Sequence, residues 1–238
     1  MGVVELLPWD SDWLGFSVAR LVVGLSDVAT DVPAAVAQCQ TAGIRLLYLV
    51  LDPIDAMASA AAQAVGAELF DTKLTYQLSL STLVPPVQEP IGIQLTREVA
   101  LTPALEQLAW QSGKYSRFRL DARIGSQAFE ALYTRWLSQS LVHGTVWTAS
   151  NENNEKKGLL AFGTRGGAAS IELLAVTPAA RRQGIGYFMV QAVREAAIRQ
   201  GHATLRVVTQ DANQSARQFY EQCGFRLINT AHYYHLWL

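Results

Sequence analysis

The stretch "RRQGIGYF", Arg181–Phe188, decides how this chain is read. Before it, "SIELLAVTP" runs as a strand and stops at Pro178. After it, apolar residues recur with helical spacing at Met189, Ala192, Val193, Ala196 and Ala197. Between the two, Arg181–Gly186 must turn sharply, and its glycines leave backbone N–H groups uncovered. Those groups, with the N-terminus of the following helix, form an anion site. The stretch therefore reads as a phosphate cradle, with Arg181 and Arg182 adding charge. Two familiar cradles do not match. A P-loop requires a Lys-Ser/Thr pair after its last glycine, and none is present. A dinucleotide fingerprint requires a third glycine, where this chain has Met189. The bland alternative is a plain strand-to-helix turn with solvated arginines.

The bulk properties narrow the setting. A chain of 238 residues holds one large domain or two small ones. Half of the residues are apolar and the net charge is −1, as in an ordinary globular protein. That balance disfavours a nucleic-acid binder, whose affinity rests on clustered Lys and Arg. Cys39 and Cys223 are too few for a disulfide framework and fit a reducing compartment. Met1–Leu7 lacks the basic start of a secretory signal, and no apolar run reaches the roughly 20 residues of a membrane helix. A cytoplasmic location with no membrane partner is expected.

Two units follow from the patterning. In the first, "FSVARLVVGL" alternates as a strand and "DVPAAVAQCQTAG" carries an Asp cap and a Gly stop. "IRLLYLVLD" is a buried strand, "PIDAMASAAAQAVGA" an Ala-rich helix, and "TKLTYQLSL" alternates again. "STLVPPVQEP", Ser81–Pro90, breaks the regularity with three prolines and reads as a linker. The expected division is an N-terminal α/β unit over 1–85 and a second unit over 91–238. The second opens with a strand, then two helices flanking the polar turn "KYSRFRLDARI". Three strand signals joined by turn chemistry lead into the glycine stretch. A strand, a helix with a Gly stop and the closing strands complete it.

A second constellation lies in "QDANQSARQFYEQCGF". Asn213, Ala216 and Tyr220 fall near one stripe of a helix. The order of strand, R-x-x-G-x-G, helix, strand and N-x-x-A-x-x-F-Y-x-x-x-G-F resembles the acetyl-CoA-binding half of the GNAT N-acetyltransferases, over roughly 91–238. The resemblance implies an α/β (α+β) fold, with a mixed, mostly antiparallel sheet flanked by helices. It implies acetyl-CoA as donor cosubstrate and no metal, and nothing in the sequence shows metal-ligand spacing. Gln183, Gly184, Ile185 and Gly186 would wrap the CoA pyrophosphate, with Arg181 and Arg182 at the entrance. Leu174, Ala175 and Val176 would pair with the pantetheine arm. Asn213 and Ala216 would lie beside it. Tyr220 matches the family's general acid. A phenol, with a reference pKa of about 10, stays protonated at neutral pH and can protonate a departing thiolate. The alternative is a half-buried core tyrosine. Glu172 stands where several members carry a base acting through water, and equally could be an exposed strand carboxylate. His232 and His235 are weaker candidates for that base.

The acceptor site of this family lies over the first two helices and their connecting turn. Here that turn holds Lys114, Tyr115, Ser116, Arg117, Phe118, Arg119 and Arg123. Arginines grip phosphates through a planar fork, and an aromatic ring could stack on a base. A substrate bearing a pyrophosphate would explain the cluster, and a polyamine would not. A solvated turn is the plain alternative. "LPWDSDWLGFSVARL", "YSRFR" and "LRVVTQDAN" together resemble the branch of the family that acetylates a dTDP-4-amino-4,6-dideoxyhexose for bacterial surface polysaccharides. That likeness implies a nucleotide-linked amino sugar as acceptor, bound near Tyr115, Ser116, Arg117, Phe118 and Arg119, and direct attack in a ternary complex. A homodimer is a family-level expectation. A protein or peptide amine, an antibiotic-like amine, and a non-catalytic acyl-CoA module are the competing readings.

Overall fold

The computed structural model describes residues 4–23, 32–80 and 89–238. Positions 81–88 of the linker lie outside the described residues. The element order is β1 (Val4–Leu6), α1 (Pro8–Leu14), β2 (Val18–Val23), α2 (Val32–Thr41), β3 (Leu46–Leu51), α3 (Ala56–Ala64) and β4 (Glu68–Ser79). Then come β5 (Gln94–Glu98), α4 (Pro103–Ser112), α5 (Arg117–Leu120), α6 (Ser126–His143), β6 (Thr145–Ser150), β7 (Lys156–Arg165) and β8 (Ala168–Val176). A short 3-10 turn (Pro178–Ala180) leads to α7 (Ile185–Arg199), β9 (Thr204–Gln210), α8 (Gln214–Gln222) and β10 (Arg226–Trp237).

All the strands belong to one sheet, in the order β1-β2-β3-β10-β4-β9-β8-β7-β6-β5. Among the described residues only β2/β3 and β8/β9 are parallel, so the sheet is mixed and mostly antiparallel. Helices cover both faces. Leu74, Tyr76 and Leu78 of β4 pack with Met189, Val193 and Tyr220, and Leu47 and Leu49 of β3 pack with Val36 and Ala62, so α2, α3, α7 and α8 share one face. On the other face, Leu105 and Leu137 of α4 and α6 pack with Leu159 and Leu173, and α1 adds Trp9 and Trp13 at their margin.

Local chemistry explains the element ends. Asp55 and Thr102 cap α3 and α4 by accepting the backbone N–H three residues on. The sequence pattern did not predict α1. Pro8 begins it, Gly15 closes it in the left-handed conformation, and Ser11 Oγ donates to Leu7 O while accepting Val18 N–H. The closing segment forms one twelve-residue strand and not several. Irregular register near Leu227/Asn229 and Tyr233/Tyr234 lets it follow β4 while pairing β3 on its other side.

The turn expected to face the acceptor is partly interior, with Lys114, Arg119 and Arg123 exposed. Ser116, Arg117 and Asp121 are buried. Asp121 accepts from His235 Nδ1 at 2.7 Å, Trp237 Nε1 at 2.9 Å and Arg123 Nε at 3.0 Å. Burial alone would raise the Asp121 carboxyl, but these donors outweigh it and hold the group well below the usual carboxylate range. Burial, against the pull of Asp121, brings the His235 imidazole from 6.5 down to about 4. His235 is thus neutral in the fold at pH 5, while the unfolded chain already binds its proton. As pH falls from 6.5 toward about 4, His235 therefore draws stability away from the folded state. In an NMR pH titration, His235 is expected to stay neutral down to about 4. A midpoint near 6.5 would contradict the buried dyad.

Candidate active site

The site is built on a parting of two strands. β8 and β9 pair only at Ala169/Leu205, Ser170/Arg206 and Ile171/Val207. Beyond those pairs, Glu172–Val176 and Val208–Gln210 diverge. A bulge assists this. Against β7, Ile171 faces Phe162 and Leu173 faces Ala161, so Glu172 is the extra residue. The bulge reverses the alternation. Ile171 sides with the α7 and α8 core, Leu173 and Ala175 with the α4 and α6 core, and Leu174 and Val176 return to the first. The backbone of Leu174–Val176 then borders a cleft of about 390 Å³.

The glycine loop closes one end of the cleft. Arg182 and Gly184 both adopt positive φ, at 64° and 79°. For an arginine that conformation is uncommon, and it curls the loop's N–H groups inward. Phe188 N–H bonds Gly184 O, forming the first turn of α7. The N–H groups of Ile185, Gly186 and Tyr187 lie ahead of that bond, and all three residues line the cleft. A Cβ on Gly186 would stand 3.3 Å from the Phe219 ring, so a glycine keeps α7 and α8 close.

The cleft brings together Leu174, Ala175, Val176, Arg181, Arg182, Gly184, Ile185, Gly186, Asn213, Ala216 and Tyr220, together with Lys114 and Tyr115. Gln183 turns away. Its Nε2 donates to Ala179 O at 3.1 Å, and it lines a neighbouring depression of about 400 Å³ with Ile91 and Lys157. Asn213 is the N-cap of α8, accepting from Ala216 N–H at 3.2 Å. Tyr220 packs against Tyr76, Phe219 and Phe225. Among the described residues, none hydrogen-bonds its hydroxyl. Burial, with Cys223 adding to it, pushes the phenol well above its ordinary value, so it keeps its proton.

Other expected site residues lie elsewhere. Glu172 is not brought to the cleft. It accepts from Arg165 Nε at 2.9 Å and from Ser140 Oγ of α6 at 3.0 Å. The bulge accounts for this, because strand alternation does not carry through it. Ser116, Arg117 and Phe118 sit behind the cleft wall, and exposed Arg119 lies over the Phe129 ring at 5.3 Å. His232 and His235 lie on β10, away from the cleft.

Sequence reasoning missed several contributors. Gln111 Nε2 donates to Val176 O at 2.7 Å, the carbonyl that the expected site residue Arg181 also reaches through Nε at 3.1 Å. Tyr187 and Phe219 also line the cleft. Gln111 gave no signal, being one polar residue at a helix end. Among the described residues, no group of three His, Cys, Asp or Glu side chains could hold a metal ion, and no helix is long and apolar enough to cross a membrane.

The chain is similar to known proteins. A model of the acetyltransferase (GNAT) family matches residues 104–225. The spore coat polysaccharide biosynthesis protein SpsD of Bacillus subtilis is 28% identical over 137 residues, 57% of this chain and 47% of that protein. The chain thus spans about half the length of that curated relative. A GCN5-related N-acetyltransferase from Sphaerobacter thermophilus superposes with a TM-score of 0.68 at 12% identity, over 99% of this chain and 76% of its own. A tandem GNAT protein from the clavulanic acid biosynthesis pathway gives 0.62 at 17% identity, over 99% and 78%. These two likenesses are of fold. The family match covers the parted strands, the glycine loop and the helix that carries Tyr220, and the chain belongs to the acetyltransferase (GNAT) family.

Proposed function

We propose that the chain transfers acetyl from acetyl-CoA to the primary amine of a nucleotide-linked amino sugar of the dTDP-4-amino-4,6-dideoxyhexose type. The observation that carries the donor half is the cleft between β8 and β9, with a loop of inward N–H groups at one end and a protonated tyrosine in its wall. Residues 91–238 would supply the catalytic residues, with the segment over 1–85 contributing strands to the same sheet. The acceptor half is supported by the polysaccharide-biosynthesis relative and by the basic and aromatic turn after α4. The working location is the cytoplasm, where acetyl-CoA and nucleotide sugars meet, and a homodimer is part of the reading.

The pyrophosphate of the donor takes the N–H groups of Gly184, Ile185 and Gly186, with Arg181 and Arg182 at the entrance. Pantetheine lies along Leu174–Val176, with Asn213 and Ala216 opposite. Its amide N–H replaces Gln111 and Arg181 at Val176 O. The amine nitrogen then attacks the thioester carbonyl carbon in a ternary complex. The carbon–sulfur bond breaks, and Tyr220 gives its proton to the departing thiolate. The proton lost by the amine passes to water in the cleft, since Glu172 is held by Arg165 and Ser140.

Three outcomes test this. Coenzyme A release from acetyl-CoA with dTDP-4-amino-4,6-dideoxygalactose is expected, and release only with peptide amines would contradict the acceptor. Tyr220→Phe should lower kcat on the order of 10²-fold with unchanged affinity for acetyl-CoA. Undiminished turnover would remove Tyr220 as the acid. Gly184→Val should raise the Kd for acetyl-CoA at least about tenfold, because a branched residue at φ 79° costs about 1–2 kcal/mol and shifts the loop. Calorimetry showing wild-type affinity would refute the cradle.

A further inference from the structure

The cleft between β8 and β9 holds cations and no base. Its charged side chains are Lys114, Arg181 and Arg182, and an ammonium or a guanidinium has no lone pair for a proton. Its other polar side chains are amides, hydroxyls and the phenols of Tyr115, Tyr187 and Tyr220. Among the described residues, no carboxylate or imidazole lines it. Carboxylates on the surrounding elements are engaged elsewhere. On β8, Glu172 accepts from Arg165 and from Ser140 of α6. Past β9, Asp211 accepts from Arg217 Nη1 at 2.7 Å. On α8, Glu221 accepts from the Tyr76 hydroxyl at 3.0 Å. Glu106 stands in the first turn of α4, whereas Gln111 and Ser112 of its last turn line the cleft. Glu195 pairs with Arg199 at the far end of α7. The Cys223 thiol, beside Tyr220, is pushed up to about 12 by burial and keeps its proton.

This set decides which amines react. An amine attacks through its lone pair, so an ammonium must first lose a proton, and no side chain of the cleft takes it. A lysine side chain, with a reference pKa of about 10.4, is neutral in only about one copy in a thousand at pH 7.4. An amine beside electron-withdrawing groups is far less basic. The α-amine of a peptide, next to its carbonyl, has a reference pKa of about 7.7–8.0. A ring amine flanked by carbons that bear hydroxyl and ether oxygens belongs to the same class, because those oxygens withdraw electron density too. The cations add to the selection, since like charge disfavours the ammonium form. The donor's pyrophosphate pairs with Arg181 and Arg182, which leaves Lys114 as the cation facing the acceptor. Lys114 stands on the turn after α4, its Nζ 5.6 Å from the Tyr115 ring centre.

We infer that the cleft works without a protein base and selects weakly basic amines, with Lys114 turning cationic acceptors away. The inference rests on the proposed acetyl transfer and adds the class of amine that it takes. The neutral nitrogen bonds the thioester carbonyl carbon, the carbon–sulfur bond breaks, and the thiolate takes the Tyr220 proton. The nitrogen, made acidic by the new bond, sheds its proton to water, and water returns a proton to the Tyr220 oxygen.

The pH dependence of kcat/KM tests this. With dTDP-4-amino-4,6-dideoxygalactose, kcat/KM should rise about tenfold per pH unit and level off at the pKa of the acceptor amine, read separately by NMR titration of the free nucleotide sugar. With the 3-fluoro analogue, whose amine is less basic, the break should move down with the amine. Glu172→Gln should leave both profiles in place. One break shared by both acceptors would reveal a protein base and overturn the inference. Lys114→Glu, at an exposed position, brings a carboxylate to the cleft. It should shift the ratio of kcat/KM for spermidine to that for the nucleotide sugar at least about tenfold toward spermidine, with the KM for acetyl-CoA within about twofold. An unchanged ratio would remove Lys114 from the selection. If the nucleotide sugar gains no acetyl group, the proposed acceptor falls by itself. A peptide with one α-amine and one lysine then decides the inference: acetyl on the α-amine supports it, and acetyl on the lysine overturns it.

Discussion

Three residue pairs join β8 to β9, and the strands then part. The remainder of the molecule is arranged around that divergence. A sheet cannot leave backbone groups unpaired in its interior without a substitute. In this chain the substitutes are a bulge at Glu172 and side-chain donors from Gln111 and Arg181 to Val176 O. These donors are removable, which a ladder bond between strands is not. The parting therefore makes a slot whose polar lining is held ready by side chains. The same divergence sets α7 and α8 on one side of the slot. The loop N–H groups are thus at its end, and Tyr220 is in its wall.

The third of the chain before the linker completes the other flank. β10, the last strand, lies between β3 and β4 and carries His235 and Trp237 to Asp121 of the α5–α6 connection. That contact fixes the turn after α4 between the cleft and the first three strands. Interior burial of Arg117 follows from it. The Arg117 guanidinium rests against three aromatic rings, and the Asp71 carboxylate offsets part of its charge.

Legibility in the sequence followed the range of the interactions. The glycine loop was readable because positive φ and exposed N–H groups are local properties of "RRQGIGYF". Tyr220 and Asn213 were brought to one stripe by helical spacing and given roles only by the family resemblance, and the cap that Asn213 forms was not foreseen. Glu172 misled because a single inserted residue reverses alternation, and no local signal marks a bulge in "SIELLAV". Asp71 and Lys73 were passed over for a related reason. The strand was read from the alternation of "TKLTYQLSL" alone, which gives no sign that Asp71 is buried. The strand β10 and its neighbours were similarly beyond reach, since pairing across the length of the chain leaves no local trace.

The most direct measurement is a crystal structure of the chain with acetyl-CoA. Pantetheine should lie along Leu174–Val176, with Gln111 displaced from Val176 O. The pyrophosphate should sit on the N–H groups of Gly184–Gly186 and the thioester sulfur within hydrogen-bond reach of the Tyr220 hydroxyl. Coenzyme A bound outside the gap between β8 and β9, or lying in it with the thioester turned away from Tyr220, would contradict this arrangement.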